Sequence, residues 1–332
     1  MAKRRETMSN LPKLPELLHR KIYKTGQTRG ADDDVIYQNR VSRNSTVLIP
    51  LNEWKHIHAF GHIDFDNGYI VLLPLGLQRE SELRQLNLTL GENCLYFYET
   101  RQEWELYNPS KRQWHFATSR IAPLGGQYVA RIPATTARED GGKINLGFTD
   151  TKSKGAGIRW YEYASASTIE QCRLQLEAIY WHCFDAEEAV IKAGMSQNNA
   201  RTRQQRILQK CKETGLLDYE KLIQARILNS AHQTVCPLCL EPISGKGFMT
   251  RIAQAEGREI PDLTITEVSL FHIVELRSGE FNHRPYNLGW GHHHCNVVAK
   301  DAGIMPTLIW LKSLLDRNLK NGVKIPAPPK DQ

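Results

Sequence analysis

The sequence predicts an α+β chain: a β-rich amino-terminal domain over 1–165, a helical connector over 166–231, a small metal-framed module over 232–318 and a tail over 319–332. Three observations carry this reading. Short apolar runs separated by turn residues recur through the first half of the chain. At Ser167 the hydrophobic period changes from strand-like to helical. From Cys236 onward, cysteine and histidine pairs stand at metal-ligand spacing.

At 332 residues the chain has room for two domains, and 41% hydrophobic with 24% charged residues is the composition of a soluble globular protein. No apolar run approaches a membrane span. The basic start Met1-Ala2-Lys3-Arg4-Arg5 has no apolar stretch behind it, so a secretory signal is not expected. Three of the seven cysteines belong to the metal frame. The others (Cys94, Cys172, Cys183 and Cys211) are scattered without pattern, which predicts a reducing, cytoplasmic setting. The net charge of +7 is compatible with a polyanionic partner such as DNA. Many basic proteins bind none, so the charge gains weight only beside the module.

Residues 1–45 are polar, with a turn-like Gly26-Gln27-Thr28-Arg29-Gly30 and an Asp32-Asp33-Asp34 run, and predict a loop or arm. Strand-like runs follow at Thr46–Ile49, Tyr69–Leu73, Cys94–Tyr98, Tyr128–Ile132 and Arg159–Tyr163. Turn residues separate them at Asp66-Asn67-Gly68, Asn108-Pro109-Ser110, Gly125-Gly126 and Asp140-Gly141-Gly142. Asp66-Asn67-Gly68 ahead of an apolar run is a hairpin signal. The expectation is a mostly antiparallel, partly curled sheet. Its loops would carry Arg79, Arg84, Arg101, Lys111, Arg112 and Arg120, either as a solvated surface or as a DNA-recognition face.

Ser167-x-x-Glu170 has the form of a capping box, followed by Ile169, Cys172, Leu176, Ile179, Tyr180 and Cys183 at helical spacing. A second start at Asp185 leads a short helix that Gly194 stops. A third, from Ser196, carries Arg201, Arg203, Arg206, Lys210 and Lys212 before its first acid at Glu213. Such a helix either solvates one face or lies along phosphates. A fourth helix is expected from Tyr219 to Leu228. Beyond the module, Pro306 to Leu315 reads as an amphipathic helix that packs on the module or forms a dimer seam, and the proline-rich end from Lys324 reads as a tail.

The module holds two layers of chemistry. Cys236-Pro237-Leu238-Cys239 and His292-x-x-Cys295 supply three thiolates and an imidazole, which suit a tetrahedral structural zinc. Which of His292, His293 and His294 is the ligand stays open. Between and beside these pairs stand His272, Asn287 and Asn296. In this order, with Phe271-His272-Ile273-Val274-Glu275-Leu276 and Asn287-Leu288 between the pairs, residues 236–300 resemble the HNH (ββα-metal) nuclease family. The resemblance implies a zinc-pinned β-hairpin against a helix, with His272 as general base, Asn287 fixing the connecting loop and Asn296 binding a catalytic Mg²⁺. Many members place a second cation ligand just before the base. Here that slot is Phe271, so the cation has one protein ligand or takes a substitute from elsewhere, such as His283, His293 or His294.

The resemblance further implies a type II site-specific endonuclease for double-stranded DNA, acting as a homodimer in a prokaryotic cytoplasm within a restriction-modification system. A modification-dependent or homing endonuclease is the alternative. The rivals from another class are a zinc ribbon or a zinc-stabilised DNA-binding protein that does not cut, with His272 as a core histidine.

Overall fold

In the computed structural model the apolar runs of the first half are buried or half-buried, with Pro50 the one exposed residue among their four strands. These are β1 (Val47–Pro50), β2 (Tyr69–Leu73), β3 (Cys94–Tyr98) and β4 (Tyr128–Ala130). A strand covered on both faces has no reason to alternate polar with apolar residues, and such strands belong to parallel sheets. With β5 (Ile158–Arg159) they form a five-stranded sheet in the order β4-β3-β2-β1-β5, every neighbouring pair parallel. The expected antiparallel sheet is therefore corrected, and the chain is mixed α/β.

The connections explain the error. α2 (Leu51–Phe60) follows β1 and carries the chain back, so that β2 starts level with β1 and Val47 lies beside Tyr69. α3 (Glu80–Gln85) and α4 (Arg101–Leu106) stand in the next two connections. The Asp66-Asn67-Gly68 turn joins no hairpin. Gly68 takes φ +75°, its N–H bonds the Phe65 carbonyl at 2.8 Å, and the chain enters β2. Period two still sorts the side chains. Val71, Leu73, Tyr96 and Tyr98 enter the larger core with Trp54 and Phe65, whereas Ile70, Leu95 and Val129 enter a smaller one closed by Ala117 and Leu124.

The structure describes residues 11–23, 46–60, 64–76, 80–130, 132, 144, 146, 158–251, 266–277, 280–299 and 302–324. The Gly26–Gly30 and Asp32–Asp34 segments, Arg79, the Asp140-Gly141-Gly142 turn and the tail beyond 324 lie outside them. The chain divides into two compact units, Ser42–Ile169 and a second made of Met1–Val41 with Glu170–Gln332. No described helix is long and apolar enough to cross a membrane.

In the second unit, part of the expected arm is helical. α1 (Glu16–Tyr23) buries Leu18 and Ile22 completely. α5 (Ala166–Tyr180) is capped by Ser165 rather than Ser167: the Ser165 hydroxyl accepts from the Thr168 N–H at 3.2 Å. α6 (Ala186–Lys192) follows Asp185, whose carboxylate turns away to accept from Ser244 and the Gly245 N–H. α7 (Gln197–Glu213) is capped by Ser196, and α8 (Tyr219–Gln224) by Asp218. Then come β6 (Val268–His272), β7 (Leu288–His292), α9 (His293–Ala299) and α10 (Ile304–Lys320). At the centre of the unit the fully buried Glu177 meets Arg203 through two bonds of 2.5 and 2.8 Å and accepts from the Tyr23 hydroxyl.

Candidate functional site

β6 and β7 pair antiparallel, with Val268 opposite His292, Leu270 opposite Trp290 and His272 opposite Leu288. Opposed residues share a face, so this face carries both histidines. It is anchored in the middle by Trp290, whose indole N–H bonds the Leu176 carbonyl at 2.9 Å and whose ring meets Phe248 edge-on. His272 and His292 thus occupy opposite ends of one face, four strand residues apart, or about 13 Å.

The His292 end is a ligand cluster. The donor atoms of Cys236, Cys239, His292 and Cys295 all lie within 4.8 Å of one another. A tetrahedron with Zn–S and Zn–N bonds of ordinary length has edges of about 3.5–3.8 Å, so this Cys₃His set is compatible with zinc. Local backbone shapes the knuckle: Leu240 takes φ +67° and its N–H bonds the Cys236 carbonyl at 2.8 Å. Arg226 braces it from outside through the Pro237 carbonyl. Burial pushes the Cys236 thiol up, but hydrogen bonds from His292 and the backbone outweigh it and hold the group at about 6. The bond to Cys236 raises His292 above the ordinary imidazole value. Burial, then the neighbouring Cys236 and Cys239 sulfurs, push Cys295 up. One thiolate therefore forms readily while its crowded neighbours resist ionising, a conflict that a cation among the sulfurs resolves. Of the three consecutive histidines, His292 is the one in the cluster; His294 is exposed and stacks on its ring at 5.4 Å.

The His272 end is a closed loop. His272 is 4% exposed, and its Nε2 lies 3.3 Å from Nδ1 of His283, itself 1% exposed. Asn287 accepts from the Val274 N–H at 2.7 Å and donates to the Val274 carbonyl at 3.1 Å and the Asn282 carbonyl at 2.6 Å. It therefore ties the segment leaving β6 to the segment approaching β7. His283 gave no spacing signal, because a lone histidine in a loop has none.

α9 links the two ends. It starts beside the cluster, and the chain leaving it packs on the His272 end, where the Ile304 N–H bonds the Ile273 carbonyl. A Cβ at Gly303 would stand 2.9 Å from the Glu275 nitrogen. Asn296 lies part-way along this helix, half-buried. The slot before His272 is core: Phe271 is fully buried on the opposite face, against Gly291. It offers no room for a cation ligand.

The basic row of α7 is dispersed. Arg203 is corrected from a phosphate contact to a structural one, because it is 5% exposed and bound to Glu177. Arg201 pairs with Glu187 at 2.8 Å, Arg206 is exposed and Lys210 half-buried.

The sequence profile described as BstXI restriction endonuclease matches residues 20–293. The chain belongs to the BstXI restriction endonuclease family. The matched span contains the parallel sheet, the knuckle, both hairpin strands and His272, and it ends before Cys295 and Asn296. A solved structure titled "Crystal structure of a type II restriction endonuclease" aligns with a TM-score of 0.27 at 13% identity over 47% of this chain, which spans 57% of that one. No curated protein matches the chain.

Proposed function

We propose that the chain is a type II, site-specific endonuclease for double-stranded DNA that cuts by a one-metal HNH mechanism, with a structural zinc on Cys236, Cys239, His292 and Cys295. The observation that carries this reading is the placement of His272. It ends β6, whose first residue, Val268, lies opposite the cluster's His292, in a chain of a restriction endonuclease family. Neutral imidazole takes a proton from water near neutral pH. Asn287 holds the loop that bears His272, and the Asn296 amide oxygen would hold Mg²⁺, a hard cation that accepts oxygen ligands. When bound, that ion supplies charge relief at the phosphate and the leaving oxygen. The Ser42–Ile169 unit supplies recognition, and Arg206 and Lys210 contact phosphates. α10 supports a homodimer, since it leaves Met305, Ile309, Trp310, Leu315 and Leu319 exposed.

Incubation with phage DNA and Mg²⁺ tests this. Discrete fragments are expected, and His272→Ala should slow cleavage about 10²–10⁴-fold with DNA affinity unchanged. Asn296→Ala should be severe yet partly restored by Mn²⁺. Intact DNA under these conditions would favour a zinc-stabilised binding protein, and a smear would remove site specificity.

A further inference from the structure

We propose that Arg112 reads a guanine in the major groove of DNA; this rests on the Ser42–Ile169 unit being the part of the chain that recognises DNA. The Arg112 guanidinium lies over the Trp114 ring, 4.8 Å from its centroid, and 5.9 Å from that of Tyr107. Trp114 in turn stacks on Tyr96 of β3, with centroids 4.5 Å apart and planes 13° from parallel. The guanidinium therefore belongs to a stack rooted on the sheet. Arg112 is half-buried, yet its nitrogens bond no carboxylate or carbonyl among the described residues, and none of them is shut away from solvent. Arg201 and Arg203, by contrast, each end on a glutamate.

Stacking occupies the face of a guanidinium and leaves its edge, where the N–H groups lie, free to bond. A fork of donors that is held in place but unbonded suits a ligand with two acceptors side by side in one plane. Guanine presents such a pair, O6 and N7, in the major groove, and contact to both is the commonest base-specific bond that arginine makes. A phosphate also offers paired oxygens. Holding a phosphate needs mainly a charge nearby, whereas reading a base needs the fork in a fixed place.

The turn that carries Arg112 is built to fix it. Pro109–Arg112 form one 3₁₀ turn with Pro109 buried at its start. The Asn108 side-chain oxygen accepts from the Ser110 N–H at 2.9 Å, and the Trp114 N–H bonds the Pro109 carbonyl at 3.1 Å. Gln113 takes φ +56° and closes the turn. Both flanks are tied down: the Tyr98 hydroxyl donates to the Tyr107 carbonyl at 2.6 Å, and the His115 N–H bonds Gln127 Oε1 at 2.9 Å. Ser110, Lys111 and Gln113 are exposed around Arg112, so the tip carries donors and positive charge without an acid. A rigid scaffold presenting a polar loop tip is how binding residues are commonly placed.

The experiment uses the full chain and duplexes carrying its site. The site is taken from the ends of digested phage DNA or, without cutting, from random duplexes selected by binding. In the wild type, 7-deazaguanine, which has C–H in place of N7, is placed at each guanine of the site in turn. It should weaken binding about tenfold at one guanine per bound chain and little at the others. Arg112→Met keeps a stem over Trp114 and removes the fork. It should weaken binding to the site about 10–100-fold, relax discrimination at that same base pair and abolish the effect of the deaza base there. Melting temperature checks folding, and the wild-type series decides even where the variant does not fold. No guanine at which the wild type senses the deaza base, or an unchanged deaza effect in folded Arg112→Met, overturns the proposal. Weakening spread equally over all sequences, with the slope of log affinity against log salt reduced by about one, overturns it in favour of a phosphate contact. A wild type that binds every duplex alike removes the recognition reading and the proposal together, a result told apart because no site is then found.

Discussion

The parallel-sheet unit and the hairpin module solve the same problem, holding a rigid platform, with different means. β1 to β4 are buried on both faces, and two apolar cores of Val, Ile, Leu and aromatic side chains hold them. β6 and β7 have five residues each, and β7 spends two of its five on Gly289 and Gly291. The hairpin is closed at one end by four metal-type ligands and at the other by the three bonds of Asn287. A sheet with a deep core tolerates the loss of any one tie. A two-stranded ribbon is marginal in water by itself, so beyond the packing of its buried Phe271, Leu288 and Trp290 the hairpin depends on the ties at its ends. The difference teaches that rigidity in the module comes from specific, removable ties, and each can be cut separately.

The largest effect is expected from the cluster. Cys236→Ala removes a buried ligand of the cluster, and structural zinc sites in small modules are worth about 10–16 kcal/mol of apparent binding energy. Hydrogen exchange should show lost protection over Val268–His292 while Tyr69–Leu73 and Cys94–Tyr98 stay protected. Equal loss in both regions would erase the distinction between them, and full protection in both would mean the cluster is dispensable.

A smaller effect is expected at Gly291, where an added Cβ would stand 2.6 Å from Phe271 Cδ2. The Phe271 ring is fully buried and cannot swing aside, so Gly291→Ala should destabilise by about 1–3 kcal/mol, the usual range for overpacking. Adding Phe271→Leu should return part of that loss in denaturant titrations. No return would mean the strain lies in the backbone.

A third effect, which varies with pH, separates core from charge within the module's own unit. Burial lowers Lys21 on α1 to about 7, and its ammonium bonds the Thr266 hydroxyl just ahead of β6. The unfolded lysine titrates near 10.5. Between these values the unfolded chain holds a proton that the folded chain has released, so this group makes stability rise with pH across that window. The slope is at most about 1.36 kcal/mol per pH unit. Lys21→Met should melt higher than wild type near pH 6–7 (about the folded value) and lose the advantage towards pH 10. A pH-independent difference would show that Lys21 acts through packing alone.

Features set by neighbours in the chain were legible in the sequence. Cys-x-x-Cys and His-x-x-Cys each place two donors within a turn, so the cysteine pairs were readable from spacing while the choice among His292, His293 and His294 was not. The helices after Ser196 and from Tyr219 stand where their apolar spacing put them, whereas the caps read at Ser167 and Asp185 are not the ones the chain uses. The parallel sheet was half-legible: the unbroken apolar runs signalled burial on both faces, but the turn residues between them masked the short helices that reverse the chain.

The cysteine pairs of the cluster and the strand segments could be read from the sequence, because each rests on contacts a few residues long. Only the tertiary structure decided the direction of the strands, the burial of Arg203 against Glu177 26 residues away, and the meeting of His272 with His283 11 residues on. A basic residue on a helix looks the same in sequence whether it faces phosphate or a buried carboxylate. What separates the two is the desolvated partner that folding brings to it, and that partner lies beyond the reach of any local pattern.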